Sequence, residues 1–543
     1  MEQRYIAAID LGSSKIALSI AKVSGENVEV LYYSVTPSDG IRYSTVFNPR
    51  KALAPLKKAI REAESQLKIR IRQVVIGRPR YSVTQEIADG TLERSNPNEY
   101  ISAEEIEALK EMALQQYPLS NPDKQIIYGA VAQSFSTENE IQLSEADVVG
   151  TLSATVTGTF KIFIGDKDNV LALDKVFNDL GIAIAKEYFI PDVTAKAVLS
   201  EEEKENGVAL VDFGDGVTSV TIYSKGIMRH YYAIPFGGGN VTRDIKSECT
   251  LSTSLAENIK LAWGACIPDK LANLGEKIIQ IRYDDGPYKE IPVKYLSGII
   301  DAREREIVDA ILYSIQESNL RSELRSGIVI TGGGARMTNL ANMIKEMSGY
   351  NVRIGVPRHR FTADGISGVF EPASVAAMGM LLAARDDRLP SCIMTPASVP
   401  IPWLTGAAVE TPAAAYAPEP EQTFTPEPKA YEPVQTYEPE PQYESEPTPE
   451  TPQPDVTYAE TEPEPQPEHE AVIEAPVRKP ARKAVEKLVE KPVENERKQP
   501  RKGWSFGKLT WGWVSNTYDK IGKGIGKIAE GLYEGVTEEV ESK

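Results

Sequence analysis

Apolar positions along the first 390 or so residues fall into two periods. Short runs such as YIAAID (5–10), QVVIG (73–77), GVALVDF (207–213), VTSVTIY (217–223) and GIVIT (327–331) are continuous or alternating and β-rich, the pattern of strands in a buried sheet. Between them lie longer stretches with apolar residues every three or four positions. These are PRKALAPLKKAIREAESQL (49–67), SAEEIEALKEMALQQY from Ser102, and EIVDAILYSIQESNLRSEL from Glu306. They read as amphipathic helices, with SAEE and TSLAEN (253–258) as N-terminal capping signals. Strands and helices mixed in this way predict an α/β fold.

From about Arg385 both periods stop. Residues 405–477 repeat Pro, Glu, Thr, Gln and Tyr, a composition with too little apolar surface to offset the entropy of ordering. This changes how the net charge of −18 is read. Between Glu410 and Glu474 there are seventeen acidic residues against one lysine, Lys429, so most of the excess charge sits in this segment. The sign then reverses in the basic run RKPARKAVEKLVEKPVENERKQPRK (478–502). That run lacks the aromatic interleaving of a base-stacking platform and is diluted by glutamates, so nucleic acid is not expected as a partner.

The chain closes on GWSFGKLTWGWVSNTYDKIGKGIGKIAEGLYEGV (503–536). Val514, Tyr518, Ile521, Ile525, Ile528, Leu532 and Val536 recur at helical spacing as one apolar stripe, flanked by Lys520, Lys523 and Lys527. Trp504, Phe506, Trp511 and Trp513 lie just before it, and tryptophan favours the membrane–water boundary. Glycines within the stripe each cost about 1 kcal/mol of helix propensity, so a surface that buries the stripe would have to drive its folding. A lipid surface is the first expectation, through this stripe and the basic run; a groove on another protein, or the body itself, would bury it too.

Other chemistry is sparse. No run of about eighteen apolar residues exists, and VAAMGMLLAA (375–384) is too short to span a bilayer. The start of the chain is too quickly polar for a signal peptide. Three cysteines without metal-type spacing and three histidines predict neither a disulfide framework nor a histidine metal site. These features together predict a cytosolic body.

One pattern does carry chemistry. IAAIDLGSSKIALSIAKV (6–23) and VALVDFGDGVTSVTIYSK (208–225) echo each other: a strand ending in Asp-X-Gly, a tight polar turn, then a second strand. Asp10 corresponds to Asp212, and Gly12 to Gly214. Two related halves facing across a cleft would bring both turns to one ligand. Backbone N–H groups in such turns cradle phosphate oxygens, and glycine permits close approach. Lys15 supplies a cation for phosphate, and Asp10 with Asp212 would suit a hydrated Mg²⁺. A third cluster, TGGGARM (331–337), opens a helix and would let a nucleoside lie against backbone.

The order DLGSSK, VDFGDGVT, TGGGARM resembles the phosphate-1, phosphate-2 and adenosine motifs of the actin/Hsp70/sugar-kinase superfamily. With AVLSEEEKENGVALVDFG, IPFGGGNVTRDI, AENIKLAWG and AREREI (302–307), residues 4–385 resemble the FtsA family of bacterial cell-division proteins. The resemblance implies a two-lobed actin-like fold: lobe I from 1–83, 166–195 and 356–390, an inserted subdomain at 84–165, and lobe II at 196–355 with its smaller part near 228–306. A linker (391–502) and an amphipathic helix (503–543) would follow. It implies ATP and Mg²⁺ as cofactors. Asp10, Gly12, Ser13, Ser14 and Lys15 would meet the phosphates from one side, and Asp212, Gly214, Asp215 and Gly216 from the other. Glu257, Lys260, Gly332, Gly333, Gly334 and Met337 would lie near the adenosine. One departure is Asp215, which stands where the family usually has glycine and places another carboxylate beside the phosphates; actin itself carries an equivalent DGVT.

The resemblance further implies a protein that polymerises and tethers FtsZ filaments to the cytoplasmic face of the inner membrane, at most a weak ATPase. The FtsZ C-terminal peptide would dock on the smaller part of lobe II, with Arg303 as the candidate contact. Other copies of the chain, other division proteins and the lipid surface complete the expected partners, the last through Trp504, Phe506, Trp511, Trp513, Val514, Ile521, Ile525, Ile528 and Leu532. The alternative is a superfamily phosphotransferase acting on a small metabolite, but no catalytic base stands out beyond the two aspartates. An Hsp70-like chaperone is excluded because no β-rich client-binding pattern follows residue 390.

Overall fold

The computed structural model describes residues 3–282, 288–358 and 360–394. The chain opens with β1 (Arg4–Leu11), β2 (Lys15–Ser24) and β3 (Asn27–Pro37), each antiparallel to the one before. Helix α1 (Pro49–Leu67) follows. Asn48 caps it by accepting the Lys51 N–H at 3.1 Å, and Pro49 stands where no intrahelical donor is needed. The helix crosses over to β4 (Gln73–Arg78), which lies parallel to β1.

Residues 84–166 form their own antiparallel sheet of β5 (Thr84–Glu93), β6 (Gln125–Thr137) and β7 (Thr155–Asp166), with β7 central. Helix α2 (Ala103–Gln116) covers it, started by a capping box in which Ser102 and Glu105 satisfy each other's backbone N–H groups. The chain returns through α3 (Lys167–Leu180) and β8 (Ala183–Phe189), which joins the first sheet beside β4, and then enters α4 (Ile190–Val198).

The second half repeats the first. Strands β9 (Val208–Phe213), β10 (Thr218–Ser224) and β11 (Ile227–Ile234) are again successively antiparallel. Helices α5 (Gly238–Glu248), α6 (Thr253–Trp263) and α7 (Val293–Glu317) then lead to β12 (Ile328–Thr331), parallel to β9. After α8 (Leu340–Ser348), β13 (Val352–Ile354) closes the sheet. The strand orders are β8-β4-β1-β2-β3 and β13-β12-β9-β10-β11, the same topology twice. The fold is α/β and actin-like.

The central strands are buried on both faces, which is why YIAAID and GVALVDF read as nearly continuous apolar runs. The apolar VAAMGMLLAA stretch is the final helix α9 (Val375–Asp386), buried on every side against α4 and β1. At Gly379 a Cβ would run into the Val193 carbonyl, so the two helices meet backbone to backbone.

Three expectations shift. Helix α7 begins at Val293, thirteen residues before Glu306, and ends at Glu317. The charged run Arg303–Glu306 hides a stripe that includes Leu296, Ile300, Glu304, Ile307, Ile311 and Ile315, all buried. Helix α6 is capped by Ser252, one residue before TSLAEN, whose hydroxyl accepts the Leu255 N–H at 3.2 Å. The chain also stays on the body past residue 390. The Cys392 N–H donates to the Tyr5 carbonyl at 2.6 Å, and Ile393 pairs with Ile71. Among the described residues no helix is long and apolar enough to cross a membrane.

Candidate functional site

Both aspartyl turns sit at the same place in their sheets. Asp10 is the penultimate residue of β1 and lies opposite Ala17; Asp212 is the penultimate residue of β9 and lies opposite Ser219. Each turn is closed by a matching bond: Gly12 N–H to the Lys15 carbonyl at 3.0 Å, and Gly214 N–H to the Val217 carbonyl at 2.9 Å. A Cβ at Gly12 would meet the Lys15 carbonyl oxygen at 2.8 Å, so both turns require glycine there by the same backbone contact.

The turns face each other. A Cβ at Gly216 would stand 2.8 Å from the Ser13 hydroxyl. That hydroxyl is fixed by the Ser44 N–H at 3.2 Å. Beyond β12, Gly332 adopts φ +85° and tucks under Asp212 and Phe213 where no side chain fits. Gly333 has open space where a Cβ would point. The result is a cavity of about 410 Å³, within the range of small-molecule sites, that also takes in α6 and the turn before α9.

Every residue singled out from the sequence for nucleotide lines this one cavity: Asp10, Gly12, Ser13, Ser14 and Lys15 from the first turn, and Asp212, Gly214, Asp215 and Gly216 from the second. Glu257 and Lys260 come from α6, and Gly332, Gly333, Gly334 and Met337 from the glycine cluster. Lys15 donates to the Ala373 carbonyl at 3.0 Å, and burial lowers its pKa. Lys260 is closely held. Its ammonium donates to the Gly238 carbonyl at 2.9 Å and the Thr242 hydroxyl at 2.8 Å, and pairs with Glu257 at 2.7 Å. Burial raises the Asp215 carboxyl, against the pull of Lys260.

Two residues escaped the sequence reading. Arg80, two positions past β4, is buried and places its guanidinium between the two aspartates: one nitrogen donates to Asp212 and the other to Asp10 at 3.4 Å. Burial pulls its pKa down, but Asp212 and Asp10 more than offset this and hold it above the ordinary arginine value. Asp10 is pushed up by burial, with Arg80 pulling the other way. As arranged, these carboxylates do not fit a Mg²⁺ held between them, because a cation of the chain is already there. The only signal for this was a pair of arginines in GRPRYS after a strand of the first half, with no spacing to link them to Asp10. The second residue is Glu304 on α7, 2% exposed, whose Oε2 accepts no hydrogen bond. Burial drives its pKa up to about 7, with Lys260 restraining the rise.

Arg303, the candidate contact for a partner peptide, lies outside this cavity. It is held by Asp244 on α5 at 2.5 and 3.2 Å and by Glu306 at 2.5 Å. The candidate lipid contacts Trp504, Phe506, Trp511, Trp513, Val514, Ile521, Ile525, Ile528 and Leu532 lie outside the described residues. Among the described residues no group of three or more His, Cys, Asp or Glu side chains is arranged to hold a metal ion.

The family model for "Cell division protein FtsA" matches residues 209–379, a span that runs from the second aspartyl turn to α9. Proteins of that name are similar over about 70% of this chain. That of Neisseria meningitidis serogroup B is 28% identical over 386 residues, 70% of this chain and 91% of the relative. Those of Borreliella burgdorferi and Bacillus subtilis are 27% and 23% identical, covering 72% and 70% of this chain and 92% and 84% of theirs.

Residues 209–379 match the FtsA family model, and the chain is similar to FtsA proteins of several bacteria.

Among solved structures, a PilM–PilN type IV pilus biogenesis complex aligns with a TM-score of 0.50 at 15% identity, over 70% of this chain and 98% of its own. That likeness concerns the fold alone. Arg80, Asp215 and Glu304 line or border the cleft of this chain.

Proposed function

We propose that this chain is an ATP-binding, actin-like division protein that polymerises and tethers FtsZ filaments to the cytoplasmic face of the membrane through its C-terminal segment. The observation that carries the reading is the convergence of two identically built aspartyl turns on one cavity. The turn N–H groups and Lys15 would hold phosphates, and the backbone of Gly332–Gly334 would support the nucleoside. When bound, ATP would supply a charged link between the two halves of the body. Similarity to FtsA proteins supports the division role. The tryptophans, lysines and apolar stripe of residues 504–536 support the lipid contact. A peptide docking at Arg303 would have to compete with Asp244, so an FtsZ contact there requires a strongly acidic group.

Gly333→Leu tests the cavity. Its side chain would enter open space rather than neighbouring atoms, so the protein should fold while ATP affinity falls by about tenfold or more. Unchanged ATP binding by the folded variant would mean the ligand site lies elsewhere. Co-sedimentation with anionic vesicles tests the anchor. The full chain should pellet and a chain ending at Met394 should stay in solution; equal pelleting would remove the tail from the reading.

A further inference from the structure

Arg80 donates hydrogen bonds to the aspartates of both turns, and it is built in rather than draped over the cleft. Its guanidinium lies between Asp10 of β1 and Asp212 of β9. Its carbonyl accepts a hydrogen bond from the hydroxyl of Tyr231 on β11, across the cleft. Tyr231 is itself fixed, packing edge-on against Phe189 at 5.3 Å and Phe163 at 6.1 Å, two rings that stack on each other at 4.5 Å. Arg80 is therefore tied to the opposite half at two points, its carbonyl by Tyr231 and its guanidinium by Asp212, while Asp10 holds the guanidinium from its own half.

Charge decides what this arrangement does. Two buried carboxylates facing a polyanion need a counter-cation, and a hydrated divalent ion is the usual one. Here the same place holds a group that is charged at every accessible pH and matches carboxylate geometry with two separate donors. An ion entering between the aspartates would have to break both pairs and leave a buried arginine without partners, which is strongly unfavourable.

We propose that Arg80 is the fixed counter-cation of this cleft, standing where a divalent ion would bridge the two turns, so that nucleotide binding by this chain depends little on Mg²⁺. The proposal rests on the nucleotide reading given above, deepens it by naming the charge that holds the turns together, and can fail separately from it.

The test uses the full chain and two probes, ATP and MgCl₂ alone. Calorimetric titration of wild type with ATP should give dissociation constants in MgCl₂ and in EDTA within about threefold of each other. Arg80→Ser, which leaves the carboxylates facing each other, should show a ratio of about thirtyfold or more. Without nucleotide, MgCl₂ should raise the melting temperature of Arg80→Ser and leave that of wild type unchanged. Arg80→Lys, which keeps a charge but offers a single point of contact, should fall between them and serves if the serine variant does not fold. A wild type that loses about tenfold or more of its ATP affinity in EDTA overturns the proposal while leaving the nucleotide site intact. A folded wild type that binds no ATP in either buffer overturns the nucleotide reading. In that case the melts with MgCl₂ alone still judge Arg80: equal stabilisation of wild type and variant would show that the guanidinium does not hold the ion's place.

Discussion

The two halves of the cleft share a backbone and differ in charge. In the first turn Gly12-Ser13-Ser14-Lys15 brings two hydroxyls and a cation; in the second, Gly214-Asp215-Gly216-Val217 brings a carboxylate. The closing hydrogen bonds differ by 0.1 Å, and the residue opposite each aspartate lies seven positions further on, Ala17 for Asp10 and Ser219 for Asp212. Duplication has fixed the geometry, while each half was free to choose its electrostatics. The sum is balanced by Arg80, which comes from the first half and leans toward the second: its contact with Asp212 is the tighter, and that with Asp10 is 3.4 Å.

The largest expected effect breaks this balance. Asp212→Asn keeps the shape of the side chain but removes the closer charge, leaving a buried guanidinium poorly paired. It should cost about 3–5 kcal/mol in chemical denaturation. Asp10→Asn should cost less, about 1.5 kcal/mol, since the bond it removes is longer. Equal losses at the two positions would show that Arg80 is shared evenly and that the asymmetry in the distances has no energetic meaning.

A second contrast lies in the crossover helices. Helix α1 of the first half buries Glu64, whose Oε1 accepts the Ile71 N–H at 2.8 Å. Helix α7 of the second half buries Glu304, whose Oε2 accepts no hydrogen bond. With its pKa raised from 4.5 to about 7 by burial, Glu304 holds its proton in the folded state over a range where the unfolded chain has lost it. Its contribution to stability is therefore complete below about pH 4.5 and disappears as pH rises to about 7, a total of about 3 kcal/mol. Glu304→Gln should flatten the stability curve in that window. Parallel curves for the variant and wild type would mean that Glu304 is charged throughout.

How much of this was legible follows from how local each signal is. The strands of both sheets and the two turns were readable because a buried strand ending in Asp-X-Gly is a contiguous pattern, and its repetition two hundred residues later exposed the duplication. Helix α1 was readable to the residue, since Asn48-Pro49 marks its start. The first half of α7 was not, because Arg303, Glu304, Arg305 and Glu306 interrupt the apolar period in letters while Glu304 is buried in fact. The sheet of residues 84–166 is hard to read because half-buried threonines and Lys161 alternate with Val156, Phe160 and Ile162, whose burial needs β5 and β6 on either side. Arg80 was beyond reach for the same reason on a larger scale. Nothing near it in sequence contains Asp10 or Asp212, and only the folded cleft brings a strand end from each half to one guanidinium.

The smallest effect sharpens the comparison of the turns themselves. Asp215 occupies the position in the second turn that Ser13 occupies in the first, one residue past the structural glycine. Its backbone already has a role that any residue could fill, since its carbonyl accepts the Gly239 N–H at 2.9 Å at the start of α5. What the side chain adds is a carboxylate lining the cavity, raised by burial, next to the place where phosphate would sit. Asp215→Ser would therefore make the second turn chemically like the first without disturbing its fold. Removing one partly screened like charge should tighten ATP binding by about 1 kcal/mol, roughly fivefold. The gain should be larger at low salt and should shrink as ionic strength rises. Weaker binding in the serine variant would reverse the argument: the carboxylate would then be holding Lys260 or a water in a position the nucleotide needs, and the charge difference between the two turns would be part of the site rather than a tolerated departure from it.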